Sequence, residues 1–256
     1  VVKEGEGMIG LTRDEKHRYR WNDGLWCPGV TGIVKVLDKS GPLVGWAKRE
    51  TAACAIRNLP LLTQMVTDGG PAAAVEWLKR TPDYQRDTSA DLGSRIHALA
   101  EAISRDIAVE PTEEEAPFIA AYRSWLATAK PEFVNVEFMV YSEQYQYGGT
   151  ADAVVRLAGD LWLIDYKTSK GVYAETALQL TAYARADWAG LANDPRKFAI
   201  PKVTRYGVLH IRPEGAELVE FDCGPDEWQA FRALRELRGW LDARADHVIS
   251  QTLEAA

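Results

Sequence analysis

Cysteine is scarce in this chain, with only Cys27, Cys54 and Cys223 among 256 residues. They lie far apart and form no CxxC pair, which argues against a disulfide framework and against a structural zinc site. Long apolar runs are missing too. No stretch approaches the roughly 18 residues of a membrane span, and no charged-then-apolar leader is evident. The expectation is a soluble, cytoplasmic protein with no membrane partner. A surplus of positive charge is also absent: 37 acidic against 30 basic side chains give a formal net charge of -7. Composition alone therefore does not announce a polyanion-binding protein, and any nucleic-acid contact must be local. There is no GxxxxGK[ST] phosphate loop, so the chain is not itself an ATP-driven motor. Repeats and low-complexity tracts are lacking, which sets repeat architectures aside.

What is present is enough apolar material, 46% of residues, to bury a real core. Basic residues gather at Arg13, Lys16, Arg18 and Arg20, at Lys48 and Arg49, and at Arg232, Arg235 and Arg238; solvated faces are the ordinary explanation of such runs. The segment 17–37 reads as a short hairpin, turning at Asn22-Asp23-Gly24, that leads into a helix. Tyr19, Trp21 and Trp26 on it are candidate stacking platforms for single-stranded DNA. Helices are expected over about 43–57 and 71–80, with a break at Asp68-Gly69-Gly70-Pro71. A new helix is expected to be capped by Thr88 or Ser89, with Leu92, Ile96, Leu99 and Ile103 as its apolar stripe and His97 and Glu101 on a neighbouring face. Another helix is expected over about 113–129.

The period then changes. Val134, Val136, Phe138 and Val140 alternate with Asn135, Glu137, Met139 and Tyr141 as in a strand. Strands at 149–157 and 161–167 are joined by the turn Ala158-Gly159-Asp160. A helix near 174–189, strands near 203–211 and 216–222, and a helix near 225–246 complete the pattern. The fold class this implies is α/β, a central mixed β-sheet flanked by helices with a helical N-terminal part. Residues 1–86 are expected to form the hairpin and helical region packing on the core, and 87–256 the core itself, in one continuous domain.

Asp165 and Lys167 are two residues apart on one strand and project from the same face. Asp152, on the preceding strand across a short turn, can approach Asp165. Two carboxylates that share a site repel one another, and a hard divalent cation with oxygen ligands relieves the repulsion. Gln179 and Tyr183, four apart, share one face of a helix.

Taken together, Gly149-Thr150-Ala151-Asp152, Ile164-Asp165-Tyr166-Lys167-Thr168-Ser169, and Gln179 through Tyr183 resemble the second, third and QxxxY motifs of the RecB-like branch of the PD-(D/E)XK nuclease superfamily. Gly93 through His97 resembles its GxxxH element, and with Pro28-Gly29-Val30-Thr31 the likeness extends over most of the chain. In style it is similar to stand-alone phage and mitochondrial-maintenance exonucleases and to the nuclease modules of recombination helicases. The resemblance implies a restriction-endonuclease-like core and a Mg2+- or Mn2+-dependent nuclease. It makes Asp152 and Asp165 metal ligands, joined by His97 and the Tyr166 backbone carbonyl, with Lys167 positioning or activating the attacking water. Gln179 and Tyr183 would orient the lysine or the DNA backbone, and Thr168 and Ser169 would join them in contacting nucleic acid. Glu137 and, with a lesser claim, Glu101 are candidate auxiliary carboxylates. The cysteine group that holds an iron-sulfur cluster in some relatives is missing, so no cluster is expected.

The function this implies is exonucleolytic hydrolysis of DNA, acting on single-stranded or frayed ends in recombination, repair or phage DNA processing, in a bacterial or phage-infected cell. A helicase, a single-strand-binding protein or a recombination protein is the expected partner. The alternatives are a structure-specific endonuclease on the same core and a catalytically silent DNA-binding or recruiting protein.

Overall fold

The computed structural model describes residues 10–192 and 194–248. The chain divides into two compact units, one made of Val1–Leu37 with His97–Ala256 and the other of Asp38–Ile96.

The larger unit is built on a seven-stranded mixed sheet. Its strands are β3 (Glu132–Ser142), β4 (Tyr147–Leu157), β5 (Asp160–Lys167), β6 (Trp188–Gly190), β7 (Lys197–Phe198), β8 (Arg205–Arg212) and β9 (Gly215–Phe221), in the order β7-β6-β3-β4-β5-β8-β9. Only β5 and β8 run parallel; the other neighbours are antiparallel. One face carries α1 (Val30–Val34), α6 (Thr176–Ala184) and α7 (Pro225–Ala243), whose Ile33, Leu180 and Phe231 join Phe138, Val140, Tyr147, Val154 and Leu163 in the main core. The other face receives α5 (Ala116–Ala129), where the buried Tyr122 meets Tyr166 of β5. The expected mixed sheet with flanking helices is therefore found.

A short hairpin of β1 (Leu11–Arg13) and β2 (Tyr19–Trp21) also belongs to this unit. The turn expected at residues 22–24 does reverse the chain, but it closes only a single bridge between Tyr19 and Cys27; the ladder of β2 is made with β1 instead. Leu11, Tyr19 and Cys27 pack with Met139, Tyr141 and Trp188 and fix the hairpin to the sheet.

The smaller unit holds α2 (Ser40–Arg57), α3 (Leu59–Gly69) and most of α4 (Pro71–Ser104). The expected break falls at Gly70. The expected start of a new helix at Thr88 or Ser89 does not occur. α4 runs unbroken through Pro82, and Ser89 Oγ turns back onto the Gln85 carbonyl at 2.8 Å, an intrahelical bond that competes with its use as a cap. The segment 59–69 is a helix that apolar spacing does not reveal, since none of its residues is buried. Likewise the helix expected over 174–189 stops at Ala184, because Trp188–Gly190 adds to the sheet edge beside β3. No helix among the described residues is long and apolar enough to cross a membrane.

Candidate active site

The site grows out of an interrupted ladder. β4 and β5 pair from Leu157↔Asp160 at the turn as far as Ala153↔Ile164. Beyond that point β5 stays with β8 to Lys167↔His210, and β4 stays with β3 to Ser142↔Tyr147. The fork leaves main-chain donors without a ladder partner, and such groups must be satisfied when buried. Asp152 supplies the remedy: its Oδ2 accepts the Tyr166 N–H at 2.6 Å. The acidic side chain is thus held by the backbone of the strand that carries the other two expected catalytic groups.

Asp165 points to the α6 side. Its side chain is 4% exposed, and Lys167 Nζ lies 2.5 Å from Oδ2. Lys167 Nζ is thus the charged partner of this buried oxygen. Gln179 Nε2 donates to Asp165 Oδ1 at 3.0 Å and to the Tyr183 hydroxyl at 2.7 Å. Gln179 and Tyr183 therefore share one face of α6, and the carboxamide grips the aspartate, not the lysine. The Tyr183 ring is buried.

Tyr166 faces the opposite way. Its hydroxyl meets Tyr122 and Ser104 at 3.2 and 3.3 Å. Its carbonyl lies 2.5 Å from His97 Nε2, while His97 Nδ1 is 3.8 Å from Asp152 Oδ2. The histidine therefore touches two of the other groups expected to bind metal. Four residues along α4, Glu101 pairs with Arg105 at 3.0 Å, and Arg105 also donates to the Val136 carbonyl at 3.0 Å. Glu137 sits in β3 opposite Asp152, in a register that passes from Val136↔Ala153 to Phe138↔Ala151. Its φ of 48° is left-handed, a conformation that costs a non-glycine residue about 1–3 kcal/mol and tends to gather at functional sites.

After Lys167 the chain is tied down by its backbone. His210 Nε2 and Arg212 Nη1 lie 2.7 and 3.2 Å from the Ser169 carbonyl, and Ser169 Oγ donates to the Gly171 carbonyl at 2.7 Å. Thr168 and Ser169 are held next to the site in this way, with the Ser169 hydroxyl already engaged.

The charges interact strongly. Burial pushes the Asp152 carboxyl above its ordinary value and Asp165 adds to this, against the opposing pull of His97, Lys167 and the Tyr166 N–H. For Lys167, burial works to lower the ammonium, but Asp165 and Asp152 outweigh it and hold it above the usual lysine range. Glu137 is pushed up to about 7 by burial, by Asp152 and by Glu101, with Arg13 and His97 opposing. A concentration of carboxylates that resist ionising together is a common property of sites that take up a cation. Even so, no three His, Cys, Asp or Glu side chains among the described residues are grouped so as to hold a metal ion.

Two neighbours, Thr150 within the Gly149–Asp152 motif and Arg13 outside any motif, carry no role in the sequence reading. Thr150, on the same face of β4 as Asp152, receives the Tyr19 hydroxyl at 2.9 Å and Arg13 Nη1 at 3.4 Å. The signal for Arg13 was the basic run that opens the chain. Of the aromatic candidates there, Tyr19 is buried, Trp21 packs edge-on against Trp188, and Trp26 lies under the guanidinium groups of Arg18 and Arg20.

No protein-family model and no curated protein matches the chain. Among solved structures it is similar to that of SSO0001, with 20% identity and a TM-score of 0.32 over 50% of this chain and 58% of that one.

Proposed function

We propose that this protein is a metal-dependent deoxyribonuclease of the RecB-like PD-(D/E)XK type, with a restriction-endonuclease-like core, that hydrolyses DNA phosphodiester bonds and prefers single-stranded ends. The observation that carries the reading is the fork between β4 and β5. There Asp152 takes the Tyr166 N–H at 2.6 Å and Asp165 and Lys167 lie together 2.5 Å apart. A structural ion pair has no need of a second buried carboxylate beside it, nor of a third in a left-handed backbone. The donor types suit a hard divalent cation, with two carboxylates, a backbone carbonyl and an imidazole in one neighbourhood: His97 lies against the Tyr166 carbonyl and 3.8 Å from Asp152, and Asp165 is held against Lys167. Asp152, Asp165, the Tyr166 carbonyl and His97 are the groups that would hold it. Magnesium or manganese bound there supplies a Lewis acid for the scissile phosphate and lowers the pKa of a coordinated water.

The residues of the chain do the remainder. Gln179 fixes the rotamer of Asp165, and Asp152 is fixed by the Tyr166 N–H. Lys167, with three donors on a half-buried side chain, presents positive charge where the phosphate accumulates negative charge in the transition state. Thr168 and Ser169 contribute polar groups beside it on a loop held by His210 and Arg212. A helicase, a single-strand-binding protein or a recombination protein is the class of partner that would present DNA ends to such a site.

The test is degradation of end-labelled DNA by the purified chain with Mg2+ or Mn2+. Activity is expected with either cation, and EDTA or Lys167→Ala is expected to abolish it. A Lys167→Ala rate within about tenfold of the parent would overturn the assignment, since loss of such a group costs more than that. Linear and closed circular single-stranded DNA separate the two modes of cutting: destruction of the circle makes the enzyme an endonuclease on the same core.

A further inference from the structure

We propose that Arg13, on the N-terminal hairpin, is a positioning residue that binds a backbone phosphate of single-stranded DNA and seats the strand beside Asp152. The inference rests on the nuclease reading above and adds to it a substrate-binding group outside the recognised motifs.

The first argument is that Arg13 is presented rigidly. It is the last residue of β1 and pairs with Tyr19 of β2. Tyr19 is buried, and its ring lies over Gly148, where a Cβ would come within 2.4 Å of it. A bridge between Gly29 and Gly148, with the Gly148 N–H donating to the Pro28 carbonyl at 3.2 Å, closes the same seam. The Tyr19 hydroxyl then reaches Thr150 at 2.9 Å. The hairpin is therefore anchored to β4 by close backbone contact and by a phenol, which fixes the backbone that carries Arg13 beside the site.

The second argument is position. Arg13 Nη1 is 3.4 Å from Thr150 Oγ1. Thr150 and Asp152 share one face of β4, separated by one pleat repeat of about 6.7 Å. A group held at Thr150 is thus a neighbour of one held at Asp152, as adjacent phosphates on a strand are. The charge of Arg13 also reaches Glu137, which sits opposite Asp152.

The third argument is that the cation is unspent. Arg13 is exposed and makes no salt bridge among the described residues, whereas Arg18, Arg105 and Arg205 are paired with Asp14, Glu101 and Asp160 at 2.8, 3.0 and 2.9 Å. Contacts to the Thr150 and Tyr19 hydroxyls still leave N–H groups of its five free, and their planar fork matches two phosphate oxygens. The need is plain. A polyanion must approach Asp152, Asp165, Glu137 and Glu101 in a chain of net charge -7, while the ammonium of Lys167 is drawn to Asp165.

The experiment measures binding of a single-stranded oligonucleotide across a series of salt concentrations, in a Lys167→Ala background so that binding is read without turnover. Arg13→Gln is expected to weaken binding about tenfold and to flatten the slope of log affinity against log salt by about 0.7, one phosphate contact on a single strand. Arg13→Lys should restore the slope. In the active enzyme with Mn2+, Arg13→Gln should raise KM with kcat within about threefold, the signature of uniform binding. Thermal unfolding confirms that the hairpin is intact, and Arg13→Lys serves as the folded control. An unchanged slope with unchanged KM overturns the proposal, as does a parent that binds no DNA at low salt. Failure of the nuclease reading looks different: Arg13-dependent binding with no cleavage under either cation.

Discussion

At its turn end, the hairpin of β4 and β5 is an ordinary antiparallel pair. Leu157 faces Asp160, Val155 faces Trp162, and the turn at Ala158 and Gly159 has positive φ at both positions, the geometry that matches strand twist. At the other end the same two strands part. The N–H of Tyr166 goes to a side chain, the residues change from β-branched and aromatic to Asp, Asp and Lys, and a neighbouring strand contributes a carboxylate in left-handed backbone. One end obtains its stability from a complete ladder. The other gives up ladder bonds and gathers like charges, as the proposed cation site would require. The contrast predicts that substitutions at the forked end change function more than stability, and that those at the turn end do the reverse.

The largest effect should come from Asp152→Asn. An asparagine Oδ1 can still accept the Tyr166 N–H, so the fork is preserved while the charge of the proposed metal ligand is lost. The expected rate loss is roughly 10³-fold, about 4 kcal/mol in the barrier. Burial and Asp165 both disfavour the ionised Asp152, so in EDTA the variant should melt at or above the parent temperature. Manganese should stabilise the parent and not the variant, by the linkage of ligand binding to folding. A variant that loses activity and several degrees of stability together would show that Asp152 is chiefly structural.

Glu137→Gln should have a smaller effect, and one that depends on pH. The glutamate has an ordinary value near 4.5 and is pushed up to about 7 in the folded protein. A raised folded value means that the native state holds the proton more tightly. The stability this contributes is complete below the unfolded value and is lost as pH rises through about 7. Parent and variant should therefore unfold alike near pH 4, and the variant should be the more stable by about 1–2 kcal/mol at pH 8 once solvent screening is allowed for. Urea titrations at the two pH values in EDTA check this. A constant difference at both would remove the charge argument and leave only the backbone conformation of residue 137.

The contrast between the two ends also explains what was legible in the sequence. β3 follows from the alternation of Val134, Val136, Phe138 and Val140, and β4 and β5 from two strand-like runs joined by the turn at Ala158-Gly159-Asp160. The shared face of Asp165 and Lys167 follows from the period of a strand, and that of Gln179 and Tyr183 from the period of a helix. All of these are local rules. The fork is not local. Nothing in the residues of β4 and β5 says that pairing stops at Ala153 and Ile164, because that depends on β5 continuing with β8 and β4 with β3. The left-handed Glu137 and the register shift between Phe133 and Asn135 were hidden for the same reason: the apolar alternation on either side of them is intact. Arg13 could be flagged as basic but not placed, since its partner Thr150 is 137 residues away. The continuous α4 was missed because Thr88 and Ser89 are local start signals overridden by a helix that runs on through residues 81–88.

The smallest effect belongs to the turn end. Gly159 has φ 92° and open space where a Cβ would project. Gly159→Ala therefore meets no neighbour and suffers only the backbone penalty of an L side chain at positive φ, about 1 kcal/mol. In a protein of this size that is a fall of about 2–4 °C in Tm. Ala158 already sits at φ 51°, so Ala158→Gly should move stability the other way, by about 0.5 kcal/mol less the entropy glycine adds to the unfolded chain. Neither change should alter nuclease rate by more than about twofold, since the intervening ladder from Leu157 to Ala153 stays paired. Scanning calorimetry beside a cleavage assay reads both. A large rate loss in Gly159→Ala would mean that the turn sets the splay of the strands at the far end, and that the two ends are mechanically one.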